Sequence, residues 1–413
     1  MKVLFITTDN YPKFGTTVNI LKKLFFEGDL IDKIENITVL TLKSQYRQED
    51  FEVINKVYVY RALSWANITK KDFFSNFPQL HWREIVSYFF VKIKEKITYF
   101  IVPNPLIRNE NVRALCDKMQ EIRGDEYDII VPIFGNHDAV AAALKFLRKE
   151  QKLVLYQVDP CSTNWTRPKN EKKRALSFER KMYRDADMII TMKPIFEDIK
   201  SVIPQELQYK FKQLELPLVC KKKDYSKKVI SGQRPICLFS GLIYLGVRDP
   251  SYTIDLFSTL IINKEVSLHF VGVEKEELPE KYRKLPVVCY GKVSMEKAQE
   301  LMDGADFLVN IGNIMTNQIP SKIFEYISTG KPIINICKNY DCPTIPYLDK
   351  YPLNINLYEK ESIKKQRNKL ENFILQNYGR RVSNEDVVAL YEECTPEFCG
   401  KQIMSIFNDL MHQ

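Results

Sequence analysis

Runs of consecutive apolar residues recur along this chain of 413 residues, and segments of helical periodicity separate most of them. In the first half these runs are KVLFITT, ITVLTL, VYVYRAL, YDIIVPIF, KLVLYQVD and DMIITM. A continuous apolar run indicates a strand that is buried on both faces, because a half-exposed strand would alternate with polar residues. Strands that alternate with helices predict a parallel sheet covered by helices on both sides, so the predicted fold class is α/β.

The alternation restarts in the second half, with PICLFSG, SLHFVGV, PVVCYGKV, DFLVNIG and PIINIC. Between the halves lies a Lys-rich segment of weak periodicity, KKKDYSKKVISGQRP. We therefore predict an N-terminal Rossmann-like domain at 1–217, a linker at 218–232, a C-terminal Rossmann-like domain at 233–385 and closing helices at 386–413. Two doubly wound domains of this kind bind ligands in a central cleft, at the carboxyl ends of their strands.

The amino-acid composition indicates a globular protein without a transmembrane helix. Apolar residues make up 45% and charged residues 27%, which is typical of a globular protein. No apolar run reaches the roughly 18 residues of a transmembrane helix, and MKVLFITTDN indicates a first strand rather than a signal peptide. Nine cysteines without metal-like pairs and only four histidines favour reduced thiols in a cytoplasmic protein and no metal site.

A net charge of +9 is compatible with anionic substrates or an anionic membrane surface, and no nucleic-acid motif is present. Residues 45–115 form an atypical insertion in which aromatic residues and lysines interleave, above all across 66–110. Two interpretations stay open for this segment. It is either a helix packed on the first domain or an interfacial surface, because basic-aromatic amphipathic segments lie at anionic lipid headgroups.

The stretch NQIPSKIFEYISTGKPII connects two apolar runs and carries polar groups suited to a nucleotide. Ser321 is predicted to cap a helix whose free N–H groups and dipole favour an anion, and Lys322 adds a full charge. One turn later, Glu325 can accept two hydrogen bonds from a vicinal diol. A phosphate and a ribose diol would fit this arrangement. The alternative is a capped core helix with an exposed glutamate.

This stretch, with FSG…R, LHFVG and CYGKVSMEKAQELMDGADFLVN, resembles the donor-binding half of glycosyltransferase family 4. YDIIVPIFGNHDAVAAAL, KLVLYQVD and FERKMYRDADMIITM resemble its acceptor-side half, so the resemblance covers most of residues 1–358. It implies a GT-B fold, in which two Rossmann-like domains face a central cleft. It also implies transfer from a nucleotide-diphosphate sugar to a saccharide or lipid-linked saccharide in bacterial surface glycan synthesis, with retention, without cofactor or metal, and with peripheral contact to the inner face of the membrane.

The resemblance assigns roles in the second half residue by residue. Glu325 matches the acid that holds the ribose, whereas Asn317 stands in place of a second acid and Leu242 in place of an arginine. Arg248 corresponds approximately to a lysine of the family, and with Lys322 it would stabilise the leaving diphosphate as a catalytic cation. The implied donor-binding residues are Gly241, Tyr290, Val293, Asn317, Ser321 and Glu325.

On the acceptor side the resemblance implies Gly15, in the loop after the first strand. His137 follows YDIIVPIF at the edge of the cleft, and Val158 and Asp159 stand where the family commonly has a histidine. His137 and Asp159 are therefore further candidates for the acceptor side. Two other functions stay open. One is a non-catalytic relative that binds or regulates a partner. The other is a nucleotide-sugar epimerase, which would need clustered acids and histidines that this chain offers sparsely.

Overall fold

The structure is a computed structural model, which describes residues 1–13, 15–101, 106–135, 137–163, 167–221, 234–314 and 319–412. The chain divides into two compact units. The first contains Met1–Pro217 together with Glu393–Gln413, and the second contains Leu218–Glu392. None of the helices in the described ranges is both long and apolar enough to cross a bilayer.

The first unit is built on an eight-stranded sheet in the order β3-β4-β2-β1-β5-β6-β7-β8. Its strands are β1 Lys2–Ile6, β2 Asn36–Leu42, β3 Phe51–Ile54, β4 Val57–Ala62, β5 Ile129–Phe134, β6 Lys152–Gln157, β7 Met188–Thr191 and β8 Phe211–Gln213. All pairings are parallel except that of β3 with β4. The helices between them are α1 Thr16–Lys22, α2 Leu30–Lys33, α3 Lys70–Asn76, α4 Trp82–Ile101, α5 Asn109–Glu121, α6 Asp138–Phe146, α7 Lys169–Asp185 and α8 Lys193–Ile199.

The second unit is built on a six-stranded parallel sheet in the order β11-β10-β9-β12-β13-β14. Its strands are β9 Ile236–Ser240, β10 Ser267–Val271, β11 Val288–Cys289, β12 Phe307–Ile311, β13 Ile333–Cys337 and β14 Asn354–Tyr358. Its helices are α9 Ser251–Ile262, α10 Met295–Gly304, α11 Lys322–Ile327, α12 Ile345–Leu348, α13 Ile363–Asn377 and α14 Asn384–Leu390. The last helix of the chain, α15 Pro396–Met411, belongs to the first unit.

The predicted α/β class and its buried parallel strands are confirmed. Strand β5 is buried along its whole length, as are β12 and β13 in the second unit. The hairpin of β3 and β4 was not predicted. Its two turn residues, Asn55 and Lys56, have φ of 46° and 70°, as a type I′ turn requires, but no glycine marks them in the sequence.

Three asparagines lie in register across the middle of the second sheet. Asn310 on β12 pairs with Asn335 on β13, which pairs with Asn356 on β14. Asn310 Nδ2 donates to Asn335 Oδ1 (2.7 Å), and Asn335 Nδ2 donates to Asn356 Oδ1 (2.8 Å). Thr344 Oγ1 also donates to Asn335 Oδ1 (3.2 Å). Because Asn335 is fully buried, these contacts satisfy its amide and fix the register of three strands.

We expect Asn335→Leu to lower the free energy of unfolding by about 1–3 kcal/mol, because it leaves buried polar groups without partners. Asn354→Leu is the matched control on β14, since the buried Oδ1 of Asn354 already has no partner. Thermal unfolding compares the two variants. Equal melting temperatures would show that the asparagine row does not stabilise the sheet.

Candidate functional site

Glycines come after three neighbouring strands at the carboxyl edge of the second sheet: Gly241 after β9, Gly272 after β10 and Gly291 after β11. Gly241 N donates to Val271 O (3.0 Å), and Gly272 N donates to Gly291 O (2.8 Å). Gly272 has φ of 89°, and a Cβ atom there would lie 2.8 Å from Gly241 O. The three loops therefore pack backbone against backbone, which leaves an edge that a ligand can approach closely.

Arg248 lies in the loop after Gly241. A turn holds it there, because Tyr244 and Arg248 exchange two backbone hydrogen bonds (3.1 and 2.8 Å). A Cβ atom on Gly241 would lie 3.8 Å from Arg248 Nη1, so the guanidinium reaches the end of β9. The predicted neighbours Gly241 and Arg248 are thus close together.

Arg248 is half-buried, and its guanidinium has no counter-ion in the described part of the chain. Its Nε is buried and has no hydrogen-bond partner, and within the described ranges no carboxylate pairs with it. Burial lowers the pKa of Arg248 below its usual value. Removing a cation from water without a compensating anion is costly. This site therefore favours an anionic ligand beside Gly241.

Helix α11 is fixed to the same edge through a buried tyrosine. Ser240 N donates to the hydroxyl oxygen of Tyr326 (2.8 Å), and that hydroxyl lies 3.3 Å from Ser240 O. Since Ser240 ends β9 and precedes Gly241, this contact fixes the last turn of α11 to the end of β9, next to the glycine-lined edge. The loop after β12 also reaches this region, because Ile314 N donates to Val247 O (3.2 Å).

Ser321 is the N-cap residue of α11, as predicted, but its side chain does not cap the helix. Ser321 has helical backbone angles (φ −57°, ψ −26°), and its side chain makes no capping hydrogen bond. A capping serine needs extended backbone for its hydroxyl to reach back to the first amides. The helix is also only six residues long, which weakens its dipole. The cations available to an anion at this edge are therefore side chains, and the helix terminus offers little positive charge.

Lys322 and Glu325 pair with each other. Lys322 Nζ donates to Glu325 Oε2 at 2.6 Å, and both side chains are partly exposed. The sequence predicted separate roles for them, a phosphate and a ribose diol, and did not anticipate this contact. A partly exposed pair three residues apart on a helix contributes only about 0.2–0.5 kcal/mol, so a ligand can separate it.

The other predicted donor residues lie near the glycines or outside the described residues. Tyr290 follows β11, and its hydroxyl lies 3.0 Å from His269 Nδ1. Val293 is half-buried two residues beyond Gly291. Leu242, which stands in place of an arginine, is exposed. Asn317 lies outside the residues that the structure describes.

In the first unit, two predicted acceptor-side residues occupy the carboxyl edge of the sheet. Gly15 has φ of 129°, and a Cβ atom there would lie 2.5 Å from Asp9 Oδ2, so only glycine fits this loop. Asp159 follows β6 and is half-buried. A Cβ atom added to Gly135 would lie 3.9 Å from Asp159 Oδ2.

His137, the third predicted acceptor-side residue, is fully buried at the start of α6. Its Nε2 lies 3.3 Å from Glu179 Oε1, and its ring packs against Phe178. Glu179 Oε1 also accepts hydrogen bonds from the backbone N–H groups of Cys161 (2.7 Å) and Ser162 (3.1 Å). These contacts indicate that His137 and Glu179 hold the loop after β6. The sequence did not predict this role for Glu179, although FERKMYRDAD, the segment that contains it, resembles the acceptor-side half of the family.

His137, Cys161 and Glu179 are also a group of metal-ligating types, since one ligand atom from each lies within 4.8 Å of the others. The group is engaged in internal contacts, because Glu179 accepts two amides and the Cys161 thiol lies 3.8 Å from Gly135 O. We therefore assign it to the loop and not to a metal ion. Other groups of this kind are absent from the described part of the chain.

No family model matches the sequence, and no curated protein matches it significantly. Solved structures match over the whole chain. Anabaena HepE in complex with UDP and glucose has a TM-score of 0.64 at 13% identity, covering 99% of this chain and 100% of its own. WaaG, a glycosyltransferase involved in lipopolysaccharide biosynthesis, has a TM-score of 0.57 at 14% identity, covering 98% and 99%.

This chain has the GT-B fold. The predicted fold class is thereby confirmed, and the sheets of the two units, parallel except for the pairing of β3 with β4, are the Rossmann-like halves of that fold. A candidate UDP-N-acetylglucosamine 2-epimerase from Listeria monocytogenes also matches, with a TM-score of 0.57 at 10% identity over 100% of this chain and 96% of its own. Since these identities are low, the shared GT-B fold does not by itself identify a reaction, which depends on the residues of the site.

Proposed function

We propose that the protein is a glycosyltransferase that moves a sugar from a nucleotide-diphosphate sugar to a saccharide or lipid-linked saccharide. The observation that carries this proposal is the half-buried guanidinium of Arg248, whose buried Nε has no hydrogen-bond partner and which lies beside Gly241 without a carboxylate partner in the described residues. A diphosphate supplies the missing negative charge and accepts charge-assisted hydrogen bonds. The glycine-lined edge lets its oxygens approach the backbone.

Arg248 would also assist bond cleavage. When the bond between the anomeric carbon and the donor oxygen breaks, negative charge develops on the diphosphate, which Arg248 and Lys322 then stabilise more strongly than in the ground state. We propose retention of anomeric configuration, with the leaving phosphate accepting the acceptor's proton. The two side chains supply the positive charge, so the proposal includes no metal ion and no cofactor.

Lys322 and Glu325 would divide their roles when the donor binds. Phosphate oxygens attract Lys322 away from its pair with Glu325, which then accepts hydrogen bonds from the ribose diol. Asn317 and Ser321 would add polar contacts, and Tyr290 and Val293 would border the base. Gly15 and Asp159 border the acceptor in this proposal, with His137 supporting the loop that carries Asp159.

The structural relatives support this choice of ligands. HepE was crystallised with UDP and with UDP-glucose. WaaG takes part in lipopolysaccharide synthesis, which agrees with a role in bacterial surface glycan assembly at the cytoplasmic side of a membrane. The fold is shared with an epimerase, so nucleotide-sugar epimerisation is the second candidate function. Incubation with the donor alone separates them, because an epimerase converts its substrate without an acceptor.

We expect Glu325→Ala to weaken UDP binding by about 1–3 kcal/mol, the scale of a lost charged hydrogen bond. The same change should leave binding of 2′-deoxy-UDP nearly unaffected, since that ligand lacks the full diol. Glu300→Ala is the matched control, because Glu300 makes the same kind of pair, three residues from Lys297 on a different helix. Calorimetry reads all these affinities. Equal losses for both nucleotides would exclude Glu325 from the ribose site.

A further inference from the structure

A row of exposed apolar side chains runs along the whole length of α4. These side chains are between 43% and 91% exposed, and we call them the α4 apolar face: Trp82, Val86, Phe89, Phe90, Ile93, Ile97, Phe100 and Ile101. Their spacing of mainly three or four residues places them on one side of the helix. With about 1.5 Å of rise per residue, the row is roughly 30 Å long. A patch of this size marks an interaction surface rather than scattered surface residues.

The opposite side of α4 fixes the helix to the first unit. Tyr88 and Val91 are buried in a small apolar cluster with Trp65 and Phe73. Tyr88 stacks on Phe73 with ring centroids 3.6 Å apart and an angle of 7°. The helix is therefore held by a packed side of its own, and its other apolar side remains exposed.

The end of α4 extends beyond this small cluster. From Lys96 to Ile101 every residue is exposed, including Tyr99 at 56% and Phe100 at 91%. An apolar turn that is exposed on all sides cannot be explained by packing within the unit. It is the shape expected of a segment that enters a soft apolar medium, whereas a protein partner would cover one side.

The exposed charges of α4 are all positive. Lys94 and Lys96 border the α4 apolar face on its two edges, as the helical period requires. The two acids of the helix point into other contacts. Tyr46 donates its hydroxyl hydrogen to Glu84 Oε1 (2.6 Å), and Lys92 Nζ lies 3.4 Å from Glu95 Oε2. A second copy of the chain would bring like charges together on such a face, whereas anionic lipid complements them.

We propose that the α4 apolar face lies in the headgroup region of an anionic membrane. The aromatic and branched side chains enter the boundary of the acyl chains, and Lys94 and Lys96 extend to the lipid phosphates. The helix lies along the surface, since it does not qualify as a membrane span. This inference rests on the proposed function in one respect, because the lipid-linked acceptor to which the surface would bring the enzyme is part of that proposal.

Vesicle flotation tests the surface. The intact protein should float with vesicles of equal parts phosphatidylcholine and phosphatidylglycerol, less at high salt, and little with phosphatidylcholine alone. The double variant Phe90→Ser/Ile97→Ser should bind about tenfold less, because it removes inserted apolar area. Its matched control is Tyr209→Ser/Leu375→Ser, which removes two other side chains that are 75% and 79% exposed. Equal flotation of the two double variants, or none of the intact protein, would overturn the proposal.

A second pair of variants separates this surface from net charge alone. Lys94→Gln/Lys96→Gln should lose most binding to the anionic vesicles. Lys173→Gln/Lys181→Gln removes two exposed lysines of the basic helix α7 and should retain it. Equal losses would show that only total charge matters and would overturn the assignment. UDP calorimetry on the same samples tests the proposed function separately from the membrane surface. Flotation without UDP binding would contradict the proposed function but not the proposed membrane surface.

Discussion

Arg248→Met lowers kcat by about 10²–10³ with a smaller rise in the donor KM, if the guanidinium stabilises the departing diphosphate. Methionine keeps the length and apolar contacts of the side chain and removes its charge. The buried Nε of Arg248 has no partner, so no internal ion pair is broken by the change. The variant should therefore fold normally, and the loss should appear in turnover rather than in stability.

Arg234→Met is the control for this change. Arg234 is exposed just before the amino end of β9, whereas Arg248 lies near the carboxyl end of the same strand. Steady-state kinetics with the donor and acceptor compares the two variants. If Arg248→Met raised KM with unchanged kcat, Arg248 would bind the diphosphate equally in the ground and transition states. If both variants kept full activity, Arg248 would not be catalytic.

The largest effect on stability is expected for Glu179→Ala, at about 3–5 kcal/mol. The change removes a fully buried carboxylate that accepts two backbone amides, from Cys161 and Ser162, and lies beside His137. Glu179→Gln keeps an acceptor oxygen for the amides and should cost much less. Chemical denaturation measures both variants. Similar costs for Ala and Gln would mean that charge, and not the amide contacts, is the main contribution.

The same cluster predicts a pH dependence. Burial lowers the pKa of His137, but its hydrogen bonds and charge interactions with Cys161 and Glu179 outweigh burial and raise the pKa to about 9. Because the pKa of His137 is higher in the folded state than in the unfolded state, protonation of His137 stabilises the folded state. Its contribution is complete below the unfolded pKa of about 6.5 and disappears as the pH rises through about 9. Stability should therefore fall between pH 7 and 9 in the intact protein and less so in Glu179→Gln.

Much of the fold could be predicted because buried parallel strands leave an unambiguous pattern. A strand such as β5 or β13 tolerates few polar residues on either side, so its sequence is a continuous apolar run. Gly241 and Arg248 could also be named as candidates, since both lie in one short segment after β9. The hairpin of β3 and β4 could not, because Asn55 and Lys56 adopt positive φ without a glycine.

The parts of the site that depend on distant contacts could not be predicted. His137 is buried by Glu179, 42 residues away, and nothing in the local sequence indicates that pairing. The contact of Lys322 with Glu325 depends on side-chain conformation, which spacing permits without requiring. The backbone contact of Gly272 with Gly241 depends on strand order. Local patterns therefore named candidate residues, and tertiary packing decided which of them are exposed, paired or buried.

Calorimetric titration with UDP, GDP, ADP and CMP tests the central claim most directly. We predict that the intact protein binds one nucleoside diphosphate selectively and that Arg248→Met weakens this binding, whereas Arg234→Met does not. Absence of binding to any of these nucleotides by folded protein would contradict a donor site at the glycine-lined edge. A non-catalytic GT-B protein that binds a different partner would then be the better account.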